Sequence, residues 1–128
     1  MVDLKMKILV VDDFATMRRI IKNILKDLGY ENIFEADSGL SALEILKREN
    51  INFIISDWNM PQMSGIELLK AVRNSELWKD IPFLMVTAEG QKENVLEAAK
   101  NKVSNYIVKP FTAEVLKEKI NKIFENRK

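Results

Sequence analysis

The 128-residue chain has no cysteine and no histidine. Without cysteine there is no thiol chemistry, no disulfide and no thiolate metal site, and the composition suits a reducing compartment. Without histidine the commonest general base and the usual zinc ligand are missing. No apolar run approaches the roughly 18 residues that a membrane span needs. The start, Met1-Val2-Asp3-Leu4-Lys5, has no apolar core of the kind a secretory signal carries, so a cytoplasmic protein without membrane insertion is expected. Acidic and basic residues nearly balance, with a formal charge of +1, so nothing in the charge calls for nucleic acid. No Gly-x-Gly-x-x-Gly or P-loop occurs, which argues against nucleotide binding.

What is present is a 47% apolar chain, long enough for one domain with a real core. The pattern predicts strands at 7–11, 33–36, 53–57, 82–87 and 105–108, and helices at 15–28, 39–49, 65–74, 91–100 and 113–126. In the first helix Met17, Ile20, Ile21, Ile24, Leu25 and Leu28 recur at helical spacing and Gly29 supplies a stop. Ser64 and Glu67 fit a capping box, and Thr112 can cap the last helix. Strict strand–helix alternation with short connections implies an α/β fold with parallel strands and right-handed crossovers. Neither a linker nor an internal repeat interrupts it. The whole chain, 1–128, is expected to form a single domain with no output domain attached.

Polar residues sit where the apolar runs end. Asp12 and Asp13 follow Ile8-Leu9-Val10-Val11, Asp57 follows Phe53-Ile54-Ile55-Ser56, Thr87 follows Phe83-Leu84-Met85-Val86, and Lys109 follows Tyr106-Ile107-Val108. In open α/β sheets ligands bind beyond the carboxyl ends of the strands, so one edge can gather three carboxylates, a hydroxyl and an ammonium. Two unit charges at about 4 Å interact by roughly 4 kcal/mol at an effective dielectric near 20, so three converging carboxylates repel strongly. A hard divalent cation relieves this. Magnesium, which prefers oxygen ligands and retains several waters, fits better than calcium, for which no twelve-residue loop is visible. The competing reading is that Asp12 and Asp13 only cap the first helix. A carboxylate is also a possible nucleophile, and Asp57, near the middle of the expected sheet, is the best placed. Lys109 can pair with a carboxylate or phosphoryl oxygen as a point charge; the alternative is a solvated surface lysine. Thr87 as a lone strand-end threonine could equally bond only to backbone.

These residues lie in segments that resemble response-regulator receiver domains: Val10-Val11-Asp12-Asp13-Phe14, Thr16-Met17-Arg18-Arg19-Ile20-Ile21, Ser56-Asp57-Trp58-Asn59-Met60-Pro61, Met85-Val86-Thr87-Ala88-Glu89 and Tyr106-Ile107-Val108-Lys109-Pro110-Phe111-Thr112. The Asp-Trp-Asn-Met-Pro, Thr-Ala-Glu and Lys-Pro-Phe-Thr runs resemble the single-domain chemotaxis branch. The resemblance implies a flavodoxin-like (βα)5 three-layer fold with a five-stranded parallel sheet in the order 2-1-3-4-5. It implies that Asp57 accepts a phosphoryl group from the phosphohistidine of a chemotaxis histidine kinase. It further implies that Asp12, Asp13, Asp57 and the backbone carbonyl of Asn59 hold Mg²⁺, Asp12 partly through water, and that Thr87 and Lys109 contact the phosphoryl oxygens. Tyr106 would then move from an exposed to a buried rotamer. Asn59 and Glu89 would tune dephosphorylation. A partner face would comprise Gly90, Lys92, Val95, Ala99 and Tyr106, together with Val108, Phe111, Lys119 and Lys122. That face would meet an acidic helix of the flagellar motor switch protein, controlling rotation, and a dedicated phosphatase is a further possible partner. Such a protein is a monomeric signalling switch rather than an enzyme, although it assists its own phosphorylation and dephosphorylation.

Trp58, next to Asp57, is expected to report metal arrival by fluorescence, the alternative being that it only covers the sheet edge, and Phe14 is expected to cover the acid pocket. Ala15 stands where close relatives often carry serine, and Lys102 stands in a turn that is usually richer in glycine, where left-handed geometry is expected at the end of the fourth helix. Three other readings compete. A haloacid-dehalogenase-type phosphatase needs Asp-x-Asp after the first strand, whereas this chain has adjacent acids and no room for a cap domain. A flavodoxin-like electron carrier would have its flavin phosphate repelled by Asp12 and Asp13. The nearest rival is a lone receiver serving as phosphorelay intermediate or kinase modulator.

Overall fold

The apolar runs become the strands of one parallel sheet. The computed structural model describes residues 3–88 and 92–125, without the side chains of 92–94. Five strands, β1 (Lys7–Val11), β2 (Asn32–Ala36), β3 (Phe53–Asp57), β4 (Phe83–Ala88) and β5 (Asn105–Lys109), alternate with helices α1 (Ala15–Asp27), α2 (Gly39–Arg48), α3 (Gly65–Arg73), α4 (Lys92–Lys100) and α5 (Ala113–Glu125). The sheet order is β2-β1-β3-β4-β5, as expected. Register pairs Val11 with both Ala36 and Ser56, and Asp57 with Val86. The acid-bearing ends of β1 and β3 are therefore adjacent, with the end of β4 beside them. Thr87 in turn pairs with Val108, which brings Lys109 to the same edge.

Alternation along each strand feeds two cores. Leu9, Val11, Ile54, Phe83 and Met85 pack against α2, α3 and α4 through Leu46, Leu69 and Ala98. Ile8, Val10, Phe53, Ile55, Leu84 and Val86 pack against α1 and α5 through Ile21, Leu25, Leu116 and Ile120. Strands buried on both faces read as continuous apolar runs, and this explains why β1, β3 and β4 stand out in the sequence. The edge strand β2 is only half-buried and begins at Asn32, one residue before the expected start at 33.

The helix ends follow local chemistry. Ser64 Oγ accepts the Glu67 N–H at 3.3 Å while a Glu67 carboxylate oxygen accepts the Ser64 N–H at 2.9 Å, closing the expected box. Thr112 Oγ1 accepts the Val115 N–H at 3.2 Å. Gly29, at φ +104°, ends α1 in a conformation that glycine adopts without a Cβ penalty. Lys102 is at φ +62°, the left-handed geometry expected there, and for a residue with a Cβ this costs roughly 1–2 kcal/mol. The Lys109–Pro110 peptide is cis. A second box, Ser38 with Ser41, opens α2 and was not anticipated.

Phe53 is fully buried and meets Phe124 edge-on at 5.2 Å between ring centroids. A Phe53→Ala variant is expected to lose about 3–5 kcal/mol of unfolding free energy in urea titrations, because the ring is replaced by a void between the sheet and α5.

Candidate functional site

Three carboxylates from two strand ends meet at the sheet edge. Oxygens of Asp12, Asp13 and Asp57 all lie within 4.8 Å of one another. Asp12 and Asp57 are buried, at 1% and 6% exposure, and Asp13 is exposed. Lys109 enters from the end of β5. Its Nζ is 2.9 Å from Asp57 Oδ1 and 3.9 Å from Asp12 Oδ2, which excludes a purely solvated lysine. Thr87 is 2% exposed and its Oγ1 has no hydrogen-bond partner. Leaving a buried hydroxyl unpaired costs roughly 1–3 kcal/mol, so this one is poised to donate to an acceptor placed at the strand ends.

Asp12 Oδ1 accepts the Phe14 N–H at 2.9 Å. The N-cap of α1 is Phe14, with no side-chain capping bond, so neither Asp12 nor Asp13 is the cap of that helix. The competing reading of the acid pair is thereby overturned. Asp12 Oδ2 makes no hydrogen bond. Burial pushes the Asp12 carboxyl up from 3.8 to about 6; the Phe14 N–H works against this, repulsion from Asp57 adds to it, Lys109 opposes it, and Asp13 raises it a little more. Three oxygen donors converging around an unbonded carboxylate oxygen form a set that suits a hard divalent cation.

Two supports escaped sequence reasoning. Arg18 Nη1 donates to the Asp12 carbonyl at 2.6 Å, and its Nε donates to Glu35 at 3.2 Å. Lys22 holds the other Glu35 oxygen at 3.1 Å. Part of α1 is thus tied to the end of β1 and to β2. The second support is Gly65. A Cβ there would collide with the Asp57 backbone carbonyl and lie 2.9 Å from Met85 Sδ. The Gly65 N–H also donates to the Trp58 carbonyl at 2.8 Å, and the Trp58 N–H donates to Val86 at 2.9 Å. The sequence signal for Gly65 was its place in a capping box; its contact with the acceptor strand depends on tertiary approach.

Trp58 is 8% exposed and packs in the core beneath the edge. Phe14 departs from expectation: its side chain is 64% exposed, and what it gives the acid pocket is its N–H. Asn59 is exposed in the loop beside Asp13, where both line a shallow recess with Met60, Pro61 and Ser64. Tyr106 is half-buried against the α2–α4 core, with the Lys119 ammonium 5.0 Å from its ring centroid. Val95 is half-buried, while Ala99, Val108 and Lys122 are exposed. Phe111 leans on the α1–α5 core, so its contribution to an open face is reduced. Glu89 and Gly90 lie outside the described residues, as does the Lys92 side chain.

Two expected outcomes follow from this geometry. The folded, metal-free protein keeps a proton on Asp12 that the unfolded chain gives up near 3.8, so its stability falls as pH rises from about 4 to about 6 and stays lower above that. Urea midpoints across that range check this, and an Asp12→Asn variant should lose the slope. Gly65→Ala forces the Asp57 carbonyl or α3 to shift; overpacking of this kind costs about 1–3 kcal/mol, and the amide signals of Asp57 and Trp58 should move in NMR spectra.

Comparison with known proteins places this geometry. The response regulator receiver domain pattern matches residues 8–121. The chain is 61% identical over 120 residues to the chemotaxis protein CheY of Pseudomonas aeruginosa, covering 94% of this chain and 97% of that protein. It is 59% identical to CheY-3 of Vibrio cholerae, covering 94% and 92%. The solved structure of chemotaxis response regulator CheY4 of Vibrio cholerae superposes with a TM-score of 0.86 at 35% identity, covering 93% of this chain and 98% of that one. CheY is itself a standard example of the rule that ligands bind at strand ends of doubly wound sheets. The chain belongs to the response regulator receiver domain family and is a CheY-like signalling protein of the chemotaxis type.

Proposed function

We propose that the protein is a magnesium-dependent phospho-accepting switch in the cytoplasm, a single receiver domain acting as a monomer. In this reading a chemotaxis histidine kinase phosphorylates it on Asp57, and it then binds the flagellar motor switch to control rotation. The observation that carries the reading is the buried Asp57 carboxylate with a lysine ammonium 2.9 Å away and two further carboxylates within 4.8 Å.

An Asp57 carboxylate oxygen attacks the phosphorus of the phosphohistidine. The P–N bond breaks, the imidazole leaves with the electron pair, and an acyl phosphate remains. Asp12, Asp13, Asp57 and the Asn59 carbonyl would hold Mg²⁺. Bound there, the cation would neutralise carboxylate and phosphoryl charge. The chain's own groups do the rest. Phosphoryl transfer depends chiefly on positioning and charge neutralisation, which agrees with a site that contains no histidine. Lys109 supplies one fixed positive charge at the strand ends. Gly65 and the Trp58 backbone bonds hold the end of β3 in place.

Phosphorylation adds about 1.5 to 2 negative charges and three acceptor oxygens. The unpartnered Thr87 hydroxyl, one position beyond the residue paired with Asp57, would donate to one of those oxygens. Tyr106 pairs with Met85 on the same strand as Thr87, so movement of that strand end reaches its ring. Asn59, two positions after the acceptor in sequence, and Glu89, two positions after Thr87, would tune how fast water attacks the acyl phosphate, which suits a short-lived signal; no separate active site is needed for this. Val95, Ala99, Tyr106, Val108, Phe111, Lys119 and Lys122 are the described members of the proposed partner face, to which the sequence reading adds Gly90 and Lys92; a dedicated phosphatase is a further proposed partner.

Incubation with acetyl phosphate and MgCl₂, followed by trapping and mass spectrometry, should give one phosphoryl adduct. Asp57→Asn should abolish it, and Lys109→Ala should slow its formation by removing the ammonium beside the acceptor. Pull-downs with beryllofluoride and magnesium should recover the motor switch protein; recovery of a kinase alone would instead favour the phosphorelay or kinase-modulator role.

A further inference from the structure

A second charged feature lies at the opposite edge of the sheet, where α3 and α4 end and β5 begins. There a groove of about 580 Å³ is lined by Lys70, Arg73, Lys79, Lys100 and Lys102, against the single carboxylate of Asp80. Part of this charge has an ordinary explanation. Lys70, Arg73 and Lys100 stand in the last turns of their helices, where cations complement the helix dipole. Lys70 also pairs with Glu97 at 3.4 Å and Lys79 with Glu76 at 3.2 Å, both in solvent.

Lys102 has no such explanation. It lies past the end of α4, so it is not part of the helix, and it holds a strained φ of +62° that glycine would adopt freely. Its backbone carbonyl accepts a hydrogen bond from Arg73 Nε at 2.9 Å, but a glycine would offer the same carbonyl. Only the side chain distinguishes lysine from glycine here. Among the described residues, neither Lys100 nor Lys102 forms an ion pair. Strained residues concentrate where the local structure serves a ligand or a switch.

The walls are built to hold a shape. Arg73 Nη1 donates to the carbonyls of Lys79 at 3.1 Å and Ile81 at 2.7 Å, so one guanidinium joins α3, the 74–82 connection and the turn at 102. Ser104 Oγ accepts the Phe83 N–H at 2.9 Å, which ties the groove wall to the start of β4.

We propose that this groove binds a small polyanion carrying two or more phosphoryl groups. Its volume falls in the range of small-molecule sites, roughly 300–1,000 Å³. Lysine ammoniums recognise phosphate as point charges. The lining contains no aromatic ring, and only Val103 and Ile123 are apolar, so neither a stacked base nor the apolar anchors of a docked peptide are provided for. The phosphoryl groups therefore carry the recognition.

The test is a ¹⁵N NMR titration of the full chain with sodium triphosphate at constant ionic strength and without divalent cations. Under those conditions the three carboxylates of the other edge repel anions, so the two sites stay distinct. Saturable shifts centred on residues 70–74, 79–80 and 100–104 are expected, with affinity falling as salt is raised. A Lys100→Gln, Lys102→Gly double variant should bind at least tenfold more weakly while melting no lower than the parent, since glycine accepts the geometry at 102. Unsaturable shifts spread over all lysines, or unchanged affinity in the double variant, would overturn the proposal. Tighter saturation of the same residues by a polyglutamate peptide would also overturn it, in favour of an acidic protein partner.

Discussion

Three carboxylates crowded at one sheet edge repel one another, and the surrounding structure can be understood as the means of keeping them there. The sheet order puts the ends of β1 and β3 side by side, so Asp12, Asp13 and Asp57 cannot spread apart without unpairing strands. Lys109, on the far edge strand, reaches back to Asp57 and offsets part of the charge. The remainder is visible in Asp12, whose carboxyl is driven up to about 6 chiefly by burial. Because Asp12 and Asp57 are buried, a charge arriving beside them is screened less than it would be at the surface.

Much of this edge was legible from the sequence because it depends on local rules. Strands buried on both faces read as uninterrupted apolar runs, and the residues that end them are the ones that chemistry can use. Ser64 with Glu67, Gly29, Thr112 and the left-handed turn at Lys102 follow from side-chain and backbone preferences over a few residues. Pro82 was placed in β4, yet the strand begins at Phe83; the proline has no N–H for the ladder and contributes only its carbonyl, to Ile54.

What the sequence did not reveal depends on approach between distant segments. Nothing within a helical turn of Arg18 shows that its guanidinium will cap the carbonyl of Asp12, or that Glu35 on another strand will brace it. The Ser38–Ser41 box was missed because serine replaces the usual glutamate or glutamine at the third position. Phe14 illustrates the converse. An aromatic residue beside two acids suggests a lid, but at the head of α1 its ring faces outward and its amide does the work.

The bond from Gly65 to the Trp58 carbonyl, with the bare Gly65 α-carbon against the carbonyl of Asp57, closes residues 57–65 into a ring of fixed circumference. Within that ring Gln62 already sits at φ +67° and Met63 is pressed onto Gly39 of α2. Side chains around the loop are free to diversify, but the number of peptide units is not. Over evolutionary time such a loop should change by exchange and almost never by insertion or deletion, and its constant length would identify the acceptor even in a distant relative whose neighbouring letters had all drifted.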